Sequence, residues 1–295
     1  MRSTRIKRSV LTLTLVGVVT SACAVSGVES DGSAARSAGG PASEIVLTSE
    51  VEWEQLNPAR GDSSPLAGTL WGDRNGAGPT GFLFKPVDGF RSPPHLHNVS
   101  YRGVVISGLV HNDDPSAADM WMPTGSFWTQ PKGAVHVTAA KGTDVLAYIE
   151  IEEGPYRVLP IEQEFDGDEA PINVDESNLV WVDPPGTPAA SVDGPEVAYV
   201  WGSPRAGSAS GVLLKLPRGF QGTLRGQGAR LQAVVIRGRP SYRASDDSEA
   251  VALEPGSYFS ARGESAHRLA CGATEGSVPY LRVEGTFDVA ARPGR

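Results

Sequence analysis

The chain has 295 residues, of which 26 are basic and 34 acidic, for a net charge of -8. That excess of acid argues against a nucleic-acid partner, because affinity for phosphates is largely electrostatic, and it leaves small molecules or proteins. The cysteines are Cys23 and Cys271 alone, too few for a disulfide framework, and a chain this long can build its own core.

The first element is an export signal. Arg2, Arg5, Lys7 and Arg8 precede an uncharged, mostly apolar run from Val10 to Thr20, followed by small residues at Ser21, Ala22, Cys23 and Ala24. The run is about half of the roughly 20 residues a membrane span needs, so residues 1–23 read as a leader. Cys23 after Thr20-Ser21-Ala22 resembles a lipoprotein box, which implies a lipid anchor on Cys23 at the cell envelope. Ala22-Cys23-Ala24 also offers an ordinary cleavage site and a secreted or periplasmic product. The first reading is preferred, and it is the only membrane contact expected. Losing the four basic residues takes the net charge to about -12. Residues 24–44, rich in Ser, Gly and Ala, read as a flexible tether.

Short strands are expected next. Gly81–Lys85, Tyr101–His111, Ser126–Gln130, Ala134–Ala139 and Val145–Glu152 are rich in β-branched and aromatic residues. Between them lie the turn signals Pro93-Pro94, Asn112-Asp113-Asp114-Pro115 and Pro131-Lys132-Gly133. With 35 Gly and 23 Pro and no long helical period, this pattern predicts an all-β sandwich or small barrel. In the last strand Ile149 and Ile151 share one face, and Glu150 and Glu152 the other.

The pattern then repeats. Trp71-Gly72 returns as Trp201-Gly202, Gly81 as Gly211, Gly89-Phe90 as Gly219-Phe220 and Val104-Val105-Ile106 as Val234-Val235-Ile236, all 130 residues on. His136 returns as His267 and Tyr148 as Tyr280, at 131 and 132. A period this long means a duplicated domain and not a solenoid. The expected domains are residues 45–183 and 184–295, joined at Pro184-Pro185-Gly186-Thr187-Pro188.

The first copy holds the chemistry. His95 and His97 are two apart, so on a strand both imidazoles leave one face, and Tyr101 shares that parity if the strand is unbroken. His136 follows a Pro-x-Gly turn on another strand that can run alongside. Three neutral imidazoles from two strands make a divalent-metal site with open positions. Zinc is the first choice of metal, with iron or manganese next.

Gly89, His95, His97 and Gly108, then Gly125, Pro131, Gly133 and His136, resemble the two motifs of the cupin superfamily. The resemblance implies two tandem jelly-roll barrels. More narrowly, Trp71-Gly72-Asp73, Pro93-Pro94-His95-Leu96-His97-Asn98 and Ser126–Pro131 resemble a bacterial two-cupin family of unknown function, related to ChrR-type cupins. That family usually places a Glu ligand where this chain has Tyr101, and often an Asn where it has Ala140. Tyr101 either coordinates as a phenolate or stays neutral and hydrogen-bonds a metal-bound water or ligand. The phenol's ordinary pKa near 10 favours the second.

The second copy has lost the site: Arg225, Gln227 and Leu231 stand at the positions of His95, His97 and Tyr101. It is expected to be a structural barrel, with an anion pocket at Arg225 and Arg262 as the sharper alternative. In copy one Trp128 and Gln130 are assigned to a substrate pocket, Trp121, Met122 and Phe127 are further wall candidates, and His111 is expected on the surface. The functions left open are a metal-dependent enzyme on a small organic molecule (dioxygenase, isomerase or hydrolase), a metal-dependent binding or sensing module, and a structural tandem barrel. A homo-oligomer is compatible with each.

Overall fold

A computed structural model describes residues 43–186, 193–203 and 205–292. The expected leader and all but the end of the expected tether lie outside the described residues. Among the described residues no helix is long and apolar enough to cross a membrane.

The fold is all-β, two jelly-roll barrels in tandem. The first is an antiparallel sheet in the order Ile172–Val174, Phe127–Gln130, Tyr101–Asp113, Val137–Ile151, Thr80–Lys85, Leu66–Trp71, Trp53–Gln55. Beside it Leu96–His97 pairs with Val158–Leu159. The second repeats the plan around Gln221–Arg237 and Val278–Ala291.

The apolar runs are nearly continuous because these strands are covered on both faces. Phe82 and Phe84 point into the first barrel while Leu83, between them, packs in a layer shared by the two barrels. Likewise Tyr101 and Val105 face inward, and Val104 and Ile106 face the second copy. The repeated Trp, Gly and Tyr form one packing unit in each copy. Trp71 Nε1 donates to Tyr148 Oη at 3.0 Å, and Trp201 Nε1 to Tyr280 Oη at 2.7 Å. A Cβ at Gly81 or Gly211 would sit 2.1 or 1.9 Å from those indole nitrogens, so only glycine fits.

The two copies meet across Tyr148 and Tyr280, whose ring centres are 5.6 Å apart. Both phenols donate to Glu150, at 3.2 and 2.8 Å. The carboxylate is 1% exposed and faces Arg282 at 3.8 Å and Arg102 at 3.9 Å. Arg282 also binds both oxygens of Glu152, at 2.7 and 2.8 Å. Alternation put Glu150 on the face opposite Ile149 and Ile151, and that face is covered by the other barrel.

Four expectations are corrected. The strands Ala134–Ala139 and Val145–Glu152 are one strand, Val137–Ile151, which bends with its partner Tyr101–Asp113 where the register shifts around Gly108. The strand Tyr101–Asp113 runs through the expected turn, so Asn112 is buried. His111 is buried too, 1% exposed, with Nδ1 3.3 Å from the Met120 carbonyl. The tether ends early, because Glu44–Val46 is already a strand.

Glu44–Val46 pairs with Tyr258–Arg262 of the second copy, and Ile172–Val174 pairs with Phe127–Gln130 of the first, in equivalent registers. Each is followed by a short 3-10 turn, Thr48–Glu50 and Glu176–Asn178, and then by a tryptophan, Trp53 and Trp181. The repeated pattern thus starts near 44 and again near 172, and each time its first strand pairs with the other barrel.

Candidate metal centre

His95, His97 and His136 come together from two pieces of chain. His95 and His136 exchange backbone hydrogen bonds of 3.0 and 2.9 Å. The Pro-x-Gly turn is fastened by Gly133 N donating to the His97 carbonyl at 2.9 Å. Gly133 has φ +79°, and a Cβ there would meet the Phe165 carbonyl oxygen at 2.4 Å. The condition for Tyr101 to share the parity of His95 and His97 is not met, because the strand is interrupted between Leu96–His97 and Tyr101–Asp113. Tyr101 nevertheless borders the site, its ring centre 5.3 Å from that of His97.

The ring orientations select one nitrogen from each histidine. Nδ1 of His95 lies 2.9 Å from the Pro93 carbonyl, that of His97 3.0 Å from the Arg157 carbonyl and that of His136 3.4 Å from the Ala134 carbonyl. A carbonyl only accepts, so each Nδ1 carries the proton and each Nε2 keeps a lone pair. The ligand atoms lie within 4.8 Å of one another. Burial lowers the pKa of all three, that of His97 to about 3, and their mutual repulsion adds to this at His97 and His136. The rings are neutral, the state a metal ligand requires. The donor set therefore fits a divalent transition ion.

Two phenols stand against the ligand nitrogens. Tyr101 Oη is 3.5 Å from His136 Nε2 and donates to Asn112 Oδ1 at 2.9 Å. Asn112 also accepts from Thr138 Oγ1 at 2.7 Å and donates to Gln130 Oε1 at 2.9 Å. Burial raises the Tyr101 pKa above its ordinary value, which keeps the phenol protonated. Tyr156, which the sequence reading missed, lies 3.2 Å through Oη from His97 Nε2 and stacks on that ring at 4.5 Å. Its segment is clamped by Asn98, which donates to the Pro155 carbonyl and accepts from Arg157 N, both at 2.9 Å. Asn98 closes the Pro-Pro-His-Leu-His-Asn run, so the motif held a signal for Tyr156 without showing its target.

A cavity of about 710 Å³ opens onto His95, His97 and Tyr101. Phe82, Phe84, Phe90, Trp128, Ile149 and Tyr156 supply its apolar wall, and no Asp or Glu lines it. Trp128 is the wall residue expected. Gln130 is not on the wall: it is buried one layer back, holding Asn112 and the Ala134 carbonyl. Phe127 faces the inter-barrel layer and Met122 fills the first core. Trp121 packs beside His111 at 5.8 Å.

In the second copy Arg225 is exposed and paired with Asp288 at 3.0 Å, and Arg262 is exposed opposite Arg230. Arg225 lines a cavity with His267 and Arg268, along with Asp246 and Glu264, but Arg262 is not among its lining residues, so the expected pair of arginines does not share a pocket. His267 is buried between Tyr242 Oη at 2.9 Å and Ser265 Oγ at 3.2 Å.

A family model described as a domain of unknown function, DUF4437, matches residues 44–290. The chain belongs to the DUF4437 family. No curated protein sequence matches this DUF4437 chain. Solved structures do. A candidate dioxygenase from Nostoc punctiforme is 14% identical, with a TM-score of 0.61 over 86% of this chain and 87% of its own. Oxalate decarboxylase from Lactobacillus farciminis is 8% identical, with a TM-score of 0.55 over 84% and 88%. The Bacillus subtilis oxalate decarboxylase, described with Mn(II) centres, is 11% identical, with a TM-score of 0.53 over 86% and 81%. At these identities the likeness establishes the fold alone.

Proposed function

We propose that this chain is an exported, metal-dependent enzyme acting on a small organic molecule, with His95, His97 and His136 as the protein ligands. The observation that carries this reading is the set of three neutral imidazoles whose Nδ1 atoms face carbonyls and whose Nε2 atoms converge beside the cavity. A divalent ion there would supply Lewis acidity or activate water or dioxygen at its open positions, which suits a dioxygenase, an isomerase or a hydrolase. Tyr101 and Tyr156 hold protons next to that position and orient whatever binds there. Asn112, Thr138 and Gln130 fix Tyr101, and Asn98 fixes Tyr156. Manganese, named for the decarboxylase of similar fold, and iron are to be compared with zinc. The leader and Cys23 support attachment to the cell envelope, which loss of membrane association in Cys23→Ser would test.

A second reading, a ligand-binding or sensing module of the ChrR type, draws support from a cavity wall with no carboxylate to move protons. Elemental analysis of the full chain and of a His95→Ala/His136→Ala variant tests the metal site: equal metal content in both would remove it. Oxygen uptake and product analysis with the metal-loaded protein and a metabolite panel then separate the readings. Turnover supports the enzyme, and saturable binding without turnover supports the module.

A further inference from the structure

One arginine on the cavity wall has no role in holding the metal. Arg60 stands in the short 3-10 segment Pro58–Ser63 and lines the cavity, with its guanidinium carbon 5.1 Å from the centre of the Phe90 ring. The other arginine of the wall, Arg74, is engaged by Glu54 at 2.5 Å and Thr69 at 3.3 Å. Among the described residues no carboxylate comes within 4.0 Å of Arg60. This happens in a chain with 34 acidic residues against 26 basic, where the cavity is lined by none of the former. The local charge is thus opposite in sign to that of the molecule. Phe90 supports one face of the guanidinium through a cation–π contact, and its N–H edge remains for a planar, bidentate acceptor. Phe82, Phe84 and Phe90 line the same cavity as Arg60 and the histidines His95 and His97.

We propose that the ligand of this cavity is a small organic acid, its carboxylate paired with Arg60 and its apolar body laid along Phe82, Phe84 and Phe90. The proposal rests on the reading of this cavity as a small-molecule site and names the class of molecule. A partly enclosed cavity strengthens such a pair relative to the open surface, and a volume of about 710 Å³ accommodates an acid with a ring or a short chain.

The test is calorimetric titration of the metal-loaded full chain with three probes of one shape, 3-phenylpropionate, 3-phenylpropanol and 3-phenylpropylammonium. The propionate is expected to bind at least tenfold more tightly than the other two. Arg60→Gln is expected to lose that preference about tenfold, with the alcohol and the metal content unchanged, and Arg60→Lys to restore part of it. The proposal is overturned if the alcohol or the ammonium binds as tightly as the acid, if none of the three binds, or if Arg60→Gln binds the acid like the wild type. Metal content of His95→Ala/His136→Ala is read separately. If it equals the wild type while Arg60→Gln still loses the acid, the metal reading fails and the assignment of Arg60 stands.

Discussion

Replacing Arg282 with leucine tests the electrostatics of the layer between the barrels. Arg282 is 5% and Glu150 1% exposed, so the substitution removes the nearest charge from a carboxylate that water does not reach. Breaking a buried pair in this way costs about 3–5 kcal/mol. Arg102 still faces Glu150 at 3.9 Å, and both phenols still donate to it, which puts the expected loss near the lower end, about 3 kcal/mol. The lost contacts to Glu152, 43% exposed, add at most about 1 kcal/mol. For a chain of this size a loss of about 3 kcal/mol lowers Tm by about 5–6 °C.

The loss has a pH dependence of defined sign. Burial already raises the Glu150 pKa, with Arg282 and Arg102 opposing it. Without Arg282 it rises further above the unfolded value. Between those two values the folded state holds a proton that the unfolded chain releases, so stability falls as pH rises. Arg282→Leu should therefore be more damaging at pH 8 than at pH 5, and Glu150→Gln in that background should recover most of the loss. The assay is thermal and urea unfolding followed by tryptophan fluorescence at both pH values. An equal cost at the two, or no recovery in the double variant, would refute a buried, ionised Glu150.

Three further outcomes are expected. Ala at His95, His97 or His136 singly should lower the bound metal measured by elemental analysis, while far-ultraviolet circular dichroism keeps its β signature. Gly103→Ala should displace Trp128, since a Cβ would sit 2.2 Å from the indole; Tm should fall by several degrees and probe binding in the cavity should weaken, and an unchanged Tm would mean the indole moves freely. Burial raises the Cys271 pKa to about 11, so at pH 8 the thiol is almost wholly protonated. Alkylation of the peptide carrying it, followed by mass spectrometry, should be slow in the folded protein and fast in urea.

The repeat, the β-class and the histidine trio were legible because each is written in short-range spacing: two residues for imidazoles on one face, a Pro-x-Gly turn before the third. What spacing cannot say is what covers a face. Glu150 was assigned the correct side of its strand, yet that side meets Tyr280 and Arg282 from a segment 130 residues away. His111 and Asn112 looked like the approach to a turn, but the strand runs on through both and each is buried on its own face, Asn112 against Tyr101 and His111 beneath Met120 and Trp121. Tyr156 was invisible for a related reason. It reaches His97 from a segment 59 residues later, joined through the Asn98 clamp, the Arg157 carbonyl and the pairing of Leu96–His97 with Val158–Leu159. Gln130 was placed one layer too far forward, because parity on a strand does not distinguish a wall residue from its support.

The reciprocal first strands bear on how the molecule can be dissected. Cutting at the proline-rich junction would leave Ile172–Val174 on the fragment with the histidines but would take Glu44–Val46 away from the other. Cutting ahead of residue 172 would bare the edge of Phe127–Gln130, the strand that carries Trp128. The two halves are laced like a pair of clasped hands, each lending the other one strand. Separate expression of either half should give insoluble or loosened material, and co-expression of the halves should restore a soluble pair.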